Sequence, residues 1–290
     1  YKNSFKALQL FFACIQCGYI PFIVESTSLS KIMDLKFNGI FSDKALPGGQ
    51  FAAITPTKVF SENFYYKIHD DLYIGDENDL LIVSSSGSTS KVPKKILLGK
   101  SQTISNIKSN QEALAITRED VTLLLLPVSY SYGLIAQFLS HLFSGATIVL
   151  GERLLTVLQL PELLLRYQVT NIFMTPLLAR LVLYYNQDAQ RMSNRLRFIT
   201  LGGDKPQAQT LQKIFSLFGC PIYGTYGLAE AGPRVATHKS LELLSGEDEW
   251  CIGEINPGIS VEVLAEKKYE ERYRHSNVGY LSIKSPSIYL

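Results

Sequence analysis

The sequence predicts an α/β protein with doubly wound, mostly parallel sheets covered by helices, and a small antiparallel β subdomain at the C-terminal end. Short apolar runs typical of buried strands alternate with stretches of helical spacing as far as Tyr226. After Glu230, short β-like pieces are joined by turns containing glycine and proline, without a helical pattern. We therefore expect an α/β body of two lobes over residues 1–235 and a small β subdomain over residues 236–290.

The N-terminal part of the sequence alternates helical and strand patterns before it becomes less regular. Helix, strand, helix and strand are predicted, in this order, at Ser4–Cys17, Tyr19–Val24, Ser28–Lys36 and Gly39–Ser42. Gly18 suits the position just after a helix, where a left-handed residue commonly ends the last turn. Hairpins or loops are expected between Leu46 and Asp79.

The rest of the body repeats strand–turn–helix units. The predicted strands are Asp79–Val83, Ile96–Leu98, Val121–Leu126, Ala146–Leu150, Asn171–Met174, Arg197–Thr200 and Pro221–Tyr223. The predicted helices are Ser101–Ala115, Tyr132–Phe143, Leu158–Tyr167, Pro176–Asn186 and Pro206–Phe218. Parallel strands joined by helices bind ligands at their carboxyl ends, so we expect the site there. The last β pieces are Trp250–Ile252, Ser260–Leu264 and Gly279–Ile283.

Composition favours a globular protein and excludes several function classes. The 290 residues are 46% hydrophobic and 19% charged, with a net charge of +2, so no nucleic-acid partner is expected. The most apolar region, Tyr132–Leu150, is interrupted by polar residues, which argues against a membrane span. No signal peptide is visible, and we expect a cytoplasmic protein. Cys14 and Cys17 lie in an apolar helical run without a second ligand pair, so buried thiols are favoured over a zinc site.

The stretch Ser84–Lys95 is the most informative part of the sequence. Small hydroxyl residues surround Gly87 between two predicted strands, and lysines follow. Such a loop can turn several N–H and hydroxyl groups toward one anion, which indicates phosphate binding. On composition alone, a solvated serine-rich turn fits as well.

This loop resembles the signature loop of the acyl-adenylate-forming enzymes, the superfamily of acyl- and aryl-CoA synthetases, luciferases and peptide-synthetase adenylation domains. The family pattern is Ser/Thr-Ser-Gly-Ser/Thr-Thr-Gly-x-Pro-Lys. Ser85–Thr89 matches its first part, Ser90 replaces the second glycine, and Pro93–Lys94 matches after one extra residue. The resemblance implies that the ATP phosphates are held by Ser85, Ser86, Gly87, Ser88, Thr89 and Lys94.

Two later segments resemble the family's nucleotide site. Leu201–Pro206 contains a Gly-Gly pair between a strand and a helix; in the family such a segment lies against adenine, with Ala or Glu where Asp204 stands. On the residues alone, a tight βα turn fits equally well. Tyr226–Glu230 resembles Tyr-Gly-x-Thr-Glu, whose tyrosine stacks on adenine and whose glutamate holds Mg²⁺; Ala229 replaces the threonine. The resemblance implies nucleotide contacts by Gly203, Asp204, Lys205 and Tyr226, a metal ligand at Glu230, and pocket positions at Gly202, Gly227 and Leu228.

Leu126–Gly133 resembles the family's Leu-Pro-x-x-His-x-x-Gly segment at the acyl pocket. The resemblance implies that Tyr130 stands at the gate of the pocket and that Gly133 borders it. Peptide-synthetase domains carry an aspartate at the position of Tyr130 to hold an α-ammonium group. A tyrosine cannot form that ion pair, so an α-amino acid substrate is disfavoured. A strand end packed by tyrosines is the alternative.

The resemblance implies ATP-dependent activation of a small carboxylate, with Mg²⁺, through an acyl-adenylate. The acyl group would pass to the thiol of coenzyme A or of phosphopantetheine on an acyl-carrier protein, with Lys94 and Glu230 as catalytic groups. We find no Thr-Gly-Asp segment, hinge or lid domain with a catalytic lysine, and expect this chain to be inactive alone. A nucleotide- or acyl-binding module without catalysis stays open, because Ser90, Ala229 and the extra loop residue depart from the pattern. A kinase fits less well, since no Asp-Phe-Gly or Gly-Lys-Ser/Thr element is present.

Overall fold

The computed structural model of the chain describes residues 4–24, 39–42, 57–59, 62–66, 76–85, 94–151, 153–186, 195–239, 251–265 and 279–288. The predicted helix Ser28–Lys36 lies outside the described residues. So do residues 86–93 of the predicted phosphate loop, among them Ser86, Gly87, Ser88 and Thr89.

The chain begins with the helix α1 (Phe5–Gln16). The Ser4 side chain accepts a hydrogen bond from the Ala7 N–H at 3.2 Å, which satisfies one unpaired donor of the first turn. Gly18 follows the helix with a φ of +78°, as its position predicted. The strand predicted at Tyr19–Val24 is wrong: only an isolated bridge between Phe22 and Ile82 forms there. Pro21 has no N–H to extend a ladder, and its carbonyl accepts from the Ile82 N–H.

Two small antiparallel sheets follow. The strands β1 (Gly39–Ser42), β2 (Thr57–Val59) and β3 (Glu62–Tyr66) pair in the order β1-β3-β2. The strand prediction for β1 is thus confirmed, but β1 belongs to an antiparallel sheet and not to the expected parallel one. The strands β4 (Asp79–Ser84) and β5 (Lys95–Gly99) form an antiparallel hairpin, and α2 (Lys100–Leu114) follows directly.

The main sheet has seven strands in the order β12-β11-β10-β9-β8-β6-β7. They are β6 (Val121–Leu124), β7 (Thr147–Leu150), β8 (Asn171–Met174), β9 (Phe198–Gly202), β10 (Ile222–Tyr226), β11 (Ala236–His238) and β12 (Glu254–Ile255). From β7 to β10 all neighbours are parallel, whereas β11 and β12 are each antiparallel to the preceding strand of the chain. The chain moves to one side of β6 for β7 and to the other for β8. This reversal is the topological switch point at which open α/β sheets bind ligands.

Helices cover both faces of this sheet, which confirms the doubly wound fold. They are a π-helix (Tyr132–Leu139), α3 (Ser140–Phe143), α4 (Arg153–Leu158), α5 (Leu160–Arg166), α6 (Pro176–Tyr185) and α7 (Ala208–Phe218). Leu123 packs with residues of α5, α6 and α7, whereas its neighbour Leu124 packs with the π-helix, α1 and the β4–β5 hairpin. Adjacent residues of one strand thus serve opposite core layers.

Several predicted boundaries need correction. The helix predicted at Tyr132–Phe143 is π-helical before it becomes α-helical. The helix predicted at Leu158–Tyr167 is α5, which begins at Leu160 with Pro161 in its first turn, and the preceding α4 was not predicted. The strand predicted at Trp250–Ile252 is displaced to Glu254–Ile255, beyond Gly253, whose φ is +88°.

The C-terminal residues contribute to two sheets. β11 and β12 extend the main sheet, while β13 (Ser260–Ala265) and β14 (Gly279–Lys284) form an antiparallel hairpin. The two strands of this hairpin confirm the sequence prediction, and the domain boundary at residue 235 stays a prediction. None of the helices in the described ranges has the length and apolar content needed to cross a bilayer.

Candidate active site at the carboxyl edge of the sheet

The carboxyl ends of β6, β8, β9 and β10 meet at one edge of the main sheet, because these strands are parallel. The segments after β6, β8 and β9 carry Tyr130, Thr175 and Gly203, and Tyr226 is the last residue of β10. Three of these four residues are sequence-predicted site residues. Thr175 was not predicted; it caps α6 by accepting a hydrogen bond from the Leu178 N–H at 3.2 Å.

The β4–β5 hairpin reaches this edge beside β6. Ser84 forms an isolated parallel bridge with Tyr130, which places the end of β4 next to the segment after β6. One residue later, the Ser85 N–H donates to the Lys94 carbonyl at 2.9 Å, and the Lys94 N–H donates to Ser85 Oγ at 3.2 Å. The Lys94 side chain is exposed. The described ends of the predicted phosphate loop therefore start and finish at the carboxyl edge.

Tyr130 and Gly203 approach each other closely. Gly203 has a φ of +88°, a left-handed conformation that favours glycine. A β-carbon added to Gly203 would lie 2.8 Å from the Tyr130 hydroxyl and 3.6 Å from Thr175 Cγ2. Burial raises the pKa of Tyr130, so its hydroxyl stays neutral at pH 7 and can donate a hydrogen bond. An exposed glycine backbone, an aromatic face and one hydroxyl thus lie together.

Gly202 is explained by packing beneath this edge. Its α-carbon faces the Thr225 hydroxyl and the ring of Tyr132, so a β-carbon would collide with both. Thr225 donates to the Tyr132 hydroxyl at 2.8 Å, and a 2.7 Å bond joins that hydroxyl to Thr200 Oγ1. The buried tyrosine is therefore fixed at both ends, by the π-helix and by two strands. The space beside Gly202 is filled by protein side chains.

The remaining predicted pocket glycines also lie against protein backbone. Gly133 faces the Pro127 carbonyl, and Gly227 faces the Pro233 carbonyl. Each position lacks room for a side chain, so packing alone accounts for the residue type. Leu228, next to Gly227, is exposed. The pocket roles assigned to these residues stay predictions.

Glu230 lies in a short 3-10 helix, Ala229–Ala231, just after β10. Its side chain is exposed, as are those of Asp204 and Lys205 after β9. The Asp204 carboxylate accepts from the Lys205 N–H at 2.8 Å. At the base of the loop, the Val235 N–H donates to the Tyr226 carbonyl at 2.9 Å, which starts the pairing of β10 with β11. Exposed acidic side chains thus follow both β9 and β10.

Magnesium fits this arrangement through a single carboxylate. Mg²⁺ commonly takes one or two protein carboxylates and completes its octahedron with water and phosphate oxygens. Glu230 offers one exposed carboxylate at the sheet edge. The described residues contain no group of three or more His, Cys, Asp and Glu side chains that could form a closed metal cage. A metal here would be shared with a phosphate ligand.

Sequence reasoning missed a buried polar network next to Glu230. Asn106 and Asn110 of α2 bind Arg234, and all three side chains are at most 1% exposed. Burial lowers the pKa of Arg234 to about 10, so the guanidinium remains charged at pH 7. The sequence did contain a signal for this network, because the polar residues Thr103, Asn106 and Asn110 repeat at helical spacing on the buried face of α2.

Comparison with known proteins identifies the family of this fold. The profile of the family described as AMP-binding enzyme matches residues 47–290. This chain belongs to the AMP-binding enzyme family. The family membership confirms the resemblance inferred from the signature loop and from the segments after β9 and β10.

Relatives within the AMP-binding enzyme family include CoA ligases. A 2-succinylbenzoate–CoA ligase of Bacillus subtilis is 27% identical over 306 residues, covering 99% of this chain and 58% of that protein. The corresponding enzyme of Lactococcus lactis is 22% identical and covers 92% and 55%. An oxalate–CoA ligase of Arabidopsis thaliana is 24% identical and covers 73% and 41%. The chain spans about half the length of these relatives.

Solved structures of AMP-binding enzymes share the fold. The O-succinylbenzoate coenzyme A synthetase of Bacillus subtilis, in complex with ATP and magnesium ion, superposes with a TM-score of 0.58 at 22% identity, over 72% of this chain and 41% of that one. ATP-bound MatB of Rhodopseudomonas palustris gives 0.60 at 17% identity, over 77% and 43%. At these identities the likeness concerns the fold.

Proposed function

We propose that the protein activates a carboxylic acid with ATP. The carboxylate attacks the α-phosphorus, the bond to pyrophosphate breaks, and a mixed anhydride with AMP forms. A thiol then displaces AMP to give a thioester. The proposal is carried by one observation: a chain of the AMP-binding enzyme family gathers Tyr130, Gly203 and Tyr226 at the switch-point edge of its sheet. The names of the relatives, ligases of 2-succinylbenzoate and oxalate with CoA, support this reaction type.

No side chain has to act as a nucleophile, because the substrate carboxylate attacks by itself. The protein would position the two reactants and neutralise phosphate charge. Lys94 would supply a positive charge at the end of the phosphate loop, whose hydroxyl and N–H groups would come from Ser85, Ser86, Gly87, Ser88 and Thr89. Tyr226 would stack on adenine, with Gly203, Asp204 and Lys205 along its edge. The exposed Gly203 backbone suits such an approach.

Glu230 would hold Mg²⁺, which supplies charge neutralisation on the leaving pyrophosphate when it is bound. The ATP and magnesium bound to the related synthetase support this choice of cofactors. Ala229 leaves the position beside Glu230 without a hydroxyl group. The phosphate would therefore depend more on Lys94 and on the metal than in relatives with a threonine there.

The substrate would be a small carboxylate without an α-ammonium group. An unpaired buried charge costs several kcal/mol, and Ser129–Gly133 offers no carboxylate to pair with it. The half-buried Tyr130 offers an aromatic face and a neutral hydroxyl. The acceptor would be the thiol of coenzyme A, which the names of most reported relatives contain. Phosphopantetheine on a carrier protein is the second candidate, supported by similarity to a linear gramicidin synthase subunit of Brevibacillus parabrevis.

Pyrophosphate exchange tests this function in the complete protein. Plain aliphatic, aromatic and dicarboxylic acids are compared with the twenty amino acids, each with ATP and Mg²⁺. Exchange with acids that lack the amino group is the expected result, and activity confined to α-amino acids would contradict the substrate class. A binding module without catalysis would bind ATP in a calorimetric titration but show no exchange with any acid.

A further inference from the structure

Five polar side chains that are almost completely buried are linked in one network beside the Glu230 turn. They are Asn106, Asn110, Arg234, Thr237 and Asn256, with exposed fractions of 0%, 0%, 1%, 4% and 2%. They come from α2, from the loop after the 3-10 helix, and from β11 and the segment after β12. The network therefore joins parts of the chain that lie far apart in sequence.

Asn106 holds the backbone on the C-terminal side of Glu230. Its amide nitrogen donates to the Ala231 carbonyl at 3.1 Å and to the Arg234 carbonyl at 2.9 Å. Its amide oxygen accepts from the Arg234 N–H at 3.2 Å. One side chain thus forms three hydrogen bonds with the four residues that follow Glu230. These contacts determine where the 3-10 helix lies relative to α2.

Asn110, one turn further along α2, connects the same loop to the π-helix. Its amide oxygen accepts from Arg234 Nε at 2.7 Å. Its amide nitrogen donates to the Ala136 carbonyl at 2.8 Å and to Ser140 Oγ at 2.9 Å. Tyr132, four residues before Ala136, lies on the same helical face and supports Gly202 from below. Asn110 therefore connects the loop after Glu230 with the π-helix that carries Tyr132.

Arg234 brings a buried positive charge to this link. Its Nη2 donates to Thr237 Oγ1 at 2.8 Å, and Thr237 in turn donates to Asn256 Oδ1 at 2.8 Å. Within the described ranges, the hydrogen-bond partners of the guanidinium are neutral oxygens. Burying a cation without a paired carboxylate is costly, so stability alone does not explain an arginine here. The planar guanidinium, however, donates to Asn110 on α2 and to Thr237 on β11 at the same time, which fixes these two elements relative to each other.

We propose that Asn106, Asn110 and Arg234 are positioning residues that fix the Glu230 turn relative to the π-helix. They would thereby align Glu230, which holds the metal in the proposed function, with the acyl-pocket segment that carries Tyr130. This inference rests on the proposed function, in which Glu230 binds Mg²⁺. Loss of the network would displace the carboxylate without removing it. The Mg²⁺ concentration needed for activity would then rise, even where the variant still folds.

The test uses Asn106→Ala with Asn186→Ala as its matched control. Asn186 is also a buried asparagine that donates to two backbone carbonyls, of Val157 and Val182, but it lies at the end of α6 in the other core layer. In the complete protein, each variant is assayed at the same interval below its own Tm. We expect Asn106→Ala to raise the Mg²⁺ concentration for half-maximal pyrophosphate exchange by about tenfold, and kcat at saturating Mg²⁺ to fall less.

Arg234→Lys serves if Asn106→Ala does not fold. A lysine keeps the charge but cannot present the fork to Asn110 and Thr237 together, so it should raise the Mg²⁺ requirement in the same direction. Equal Mg²⁺ requirements in Asn106→Ala, Arg234→Lys and Asn186→Ala would overturn the inference. Hydrogen–deuterium exchange of the peptide covering residues 229–235 adds a readout without catalysis: exchange should accelerate in Asn106→Ala and not in Asn186→Ala. If the wild type shows no pyrophosphate exchange, the proposed function is wrong, and the amide exchange still tests the network.

Discussion

Ser85 holds the backbone of Lys94 at the neck of the β4–β5 hairpin through two hydrogen bonds. One runs from the Ser85 N–H to the Lys94 carbonyl at 2.9 Å, and the other from the Lys94 N–H to Ser85 Oγ at 3.2 Å. The lysine side chain is exposed at this point. The Lys94 backbone is thus held by the hairpin, whereas its side-chain ammonium can move toward an anion at the sheet edge.

We expect Lys94→Ala to lower pyrophosphate exchange by about 10²-fold, because a charge next to the phosphates stabilises the transition state. Folding should be unaffected, since the side chain is exposed and the neck is made by backbone atoms of Lys94. Lys108→Ala is the control, because it removes the same charge from an exposed position on α2. Exchange by Lys94→Ala equal to that of Lys108→Ala would show that Lys94 has no role in catalysis.

Glu230→Gln should raise the Mg²⁺ requirement by about tenfold or more, because a neutral amide is a weaker ligand for a hard cation than a carboxylate. The exposed position predicts an unchanged Tm. The measurement is pyrophosphate exchange as a function of Mg²⁺ at constant ATP. Glu112→Gln on the exposed side of α2 is the charge-matched control. A shared Mg²⁺ dependence in the two variants would exclude Glu230 as the metal ligand.

Elements with strong local signals could be predicted from the sequence. The Ser4 cap and Gly18 bracket α1, and the strand predicted at Asn171–Met174 agrees with β8 at both ends. Periodicity and terminal residues are sufficient there, because all of the information lies within the element. The strand predicted at Tyr19–Val24 failed for a tertiary reason: among the described residues, its pairing with β4 is limited to an isolated bridge between Phe22 and Ile82.

The candidate site was predicted as four segments at strand ends. The sheet brings the segments after β6, β9 and β10 to one edge, and the bridge between Ser84 and Tyr130 places the end of β4 beside them. The reasons for individual residues could not be predicted. Gly202 is required by Tyr132 and Thr225, which approach from different elements. Asn106 and Arg234 are 128 positions apart, and their contact exists only once α2 packs against the loop after Glu230. Sequence spacing carries no information about such pairs.

Gly203→Ala should destabilise the protein and impair the site. A left-handed φ costs an alanine roughly 1 to 2 kcal/mol, and the new methyl group would press on the Tyr130 hydroxyl. Gly18→Ala is the control for the backbone term, since its φ is also positive and no atom lies within 4 Å of the added carbon. Urea unfolding should therefore show a larger loss for Gly203→Ala than for Gly18→Ala.

Tyr130→Phe separates the collision from the backbone strain at Gly203. Without the hydroxyl, the added methyl group meets less resistance, so Gly203→Ala should cost less in the Tyr130→Phe background than in the wild type. A double-mutant cycle of unfolding free energies measures this coupling. Strictly additive effects would mean that the Tyr130 hydroxyl does not limit the space at Gly203.

Buried His141 should make the stability of the protein depend on pH. The side chain is fully buried, and its Nδ1 lies 2.7 Å from the Gln137 carbonyl, which can only accept, so Nδ1 carries the proton. Burial lowers the pKa of His141 and is the dominant cause. The bond to the Gln137 carbonyl, the charge of Asp120 and the Asn171 side chain raise this pKa by less, and Arg197 lowers it slightly. The imidazole is therefore neutral in the folded protein at pH 7.

The sign of the effect follows from the lowered pKa. The unfolded chain binds a proton at this histidine near pH 6.5, whereas the folded chain does so only at lower pH. Stability is therefore complete above about pH 6.5 and falls as the pH drops toward the folded pKa, by at most about 1.4 kcal/mol per pH unit. Urea unfolding between about pH 7 and pH 5 should show this loss in the wild type, and His141→Gln, which keeps a donor but cannot titrate, should flatten the profile. An unchanged slope in the variant would assign the loss to other groups. Asp120 affects stability in a separate pH range. Desolvation raises its pKa, but hydrogen bonds from Arg197, Thr170 and Thr117 outweigh that effect and hold the pKa low. The stability that this carboxylate contributes is therefore lost only below about pH 4.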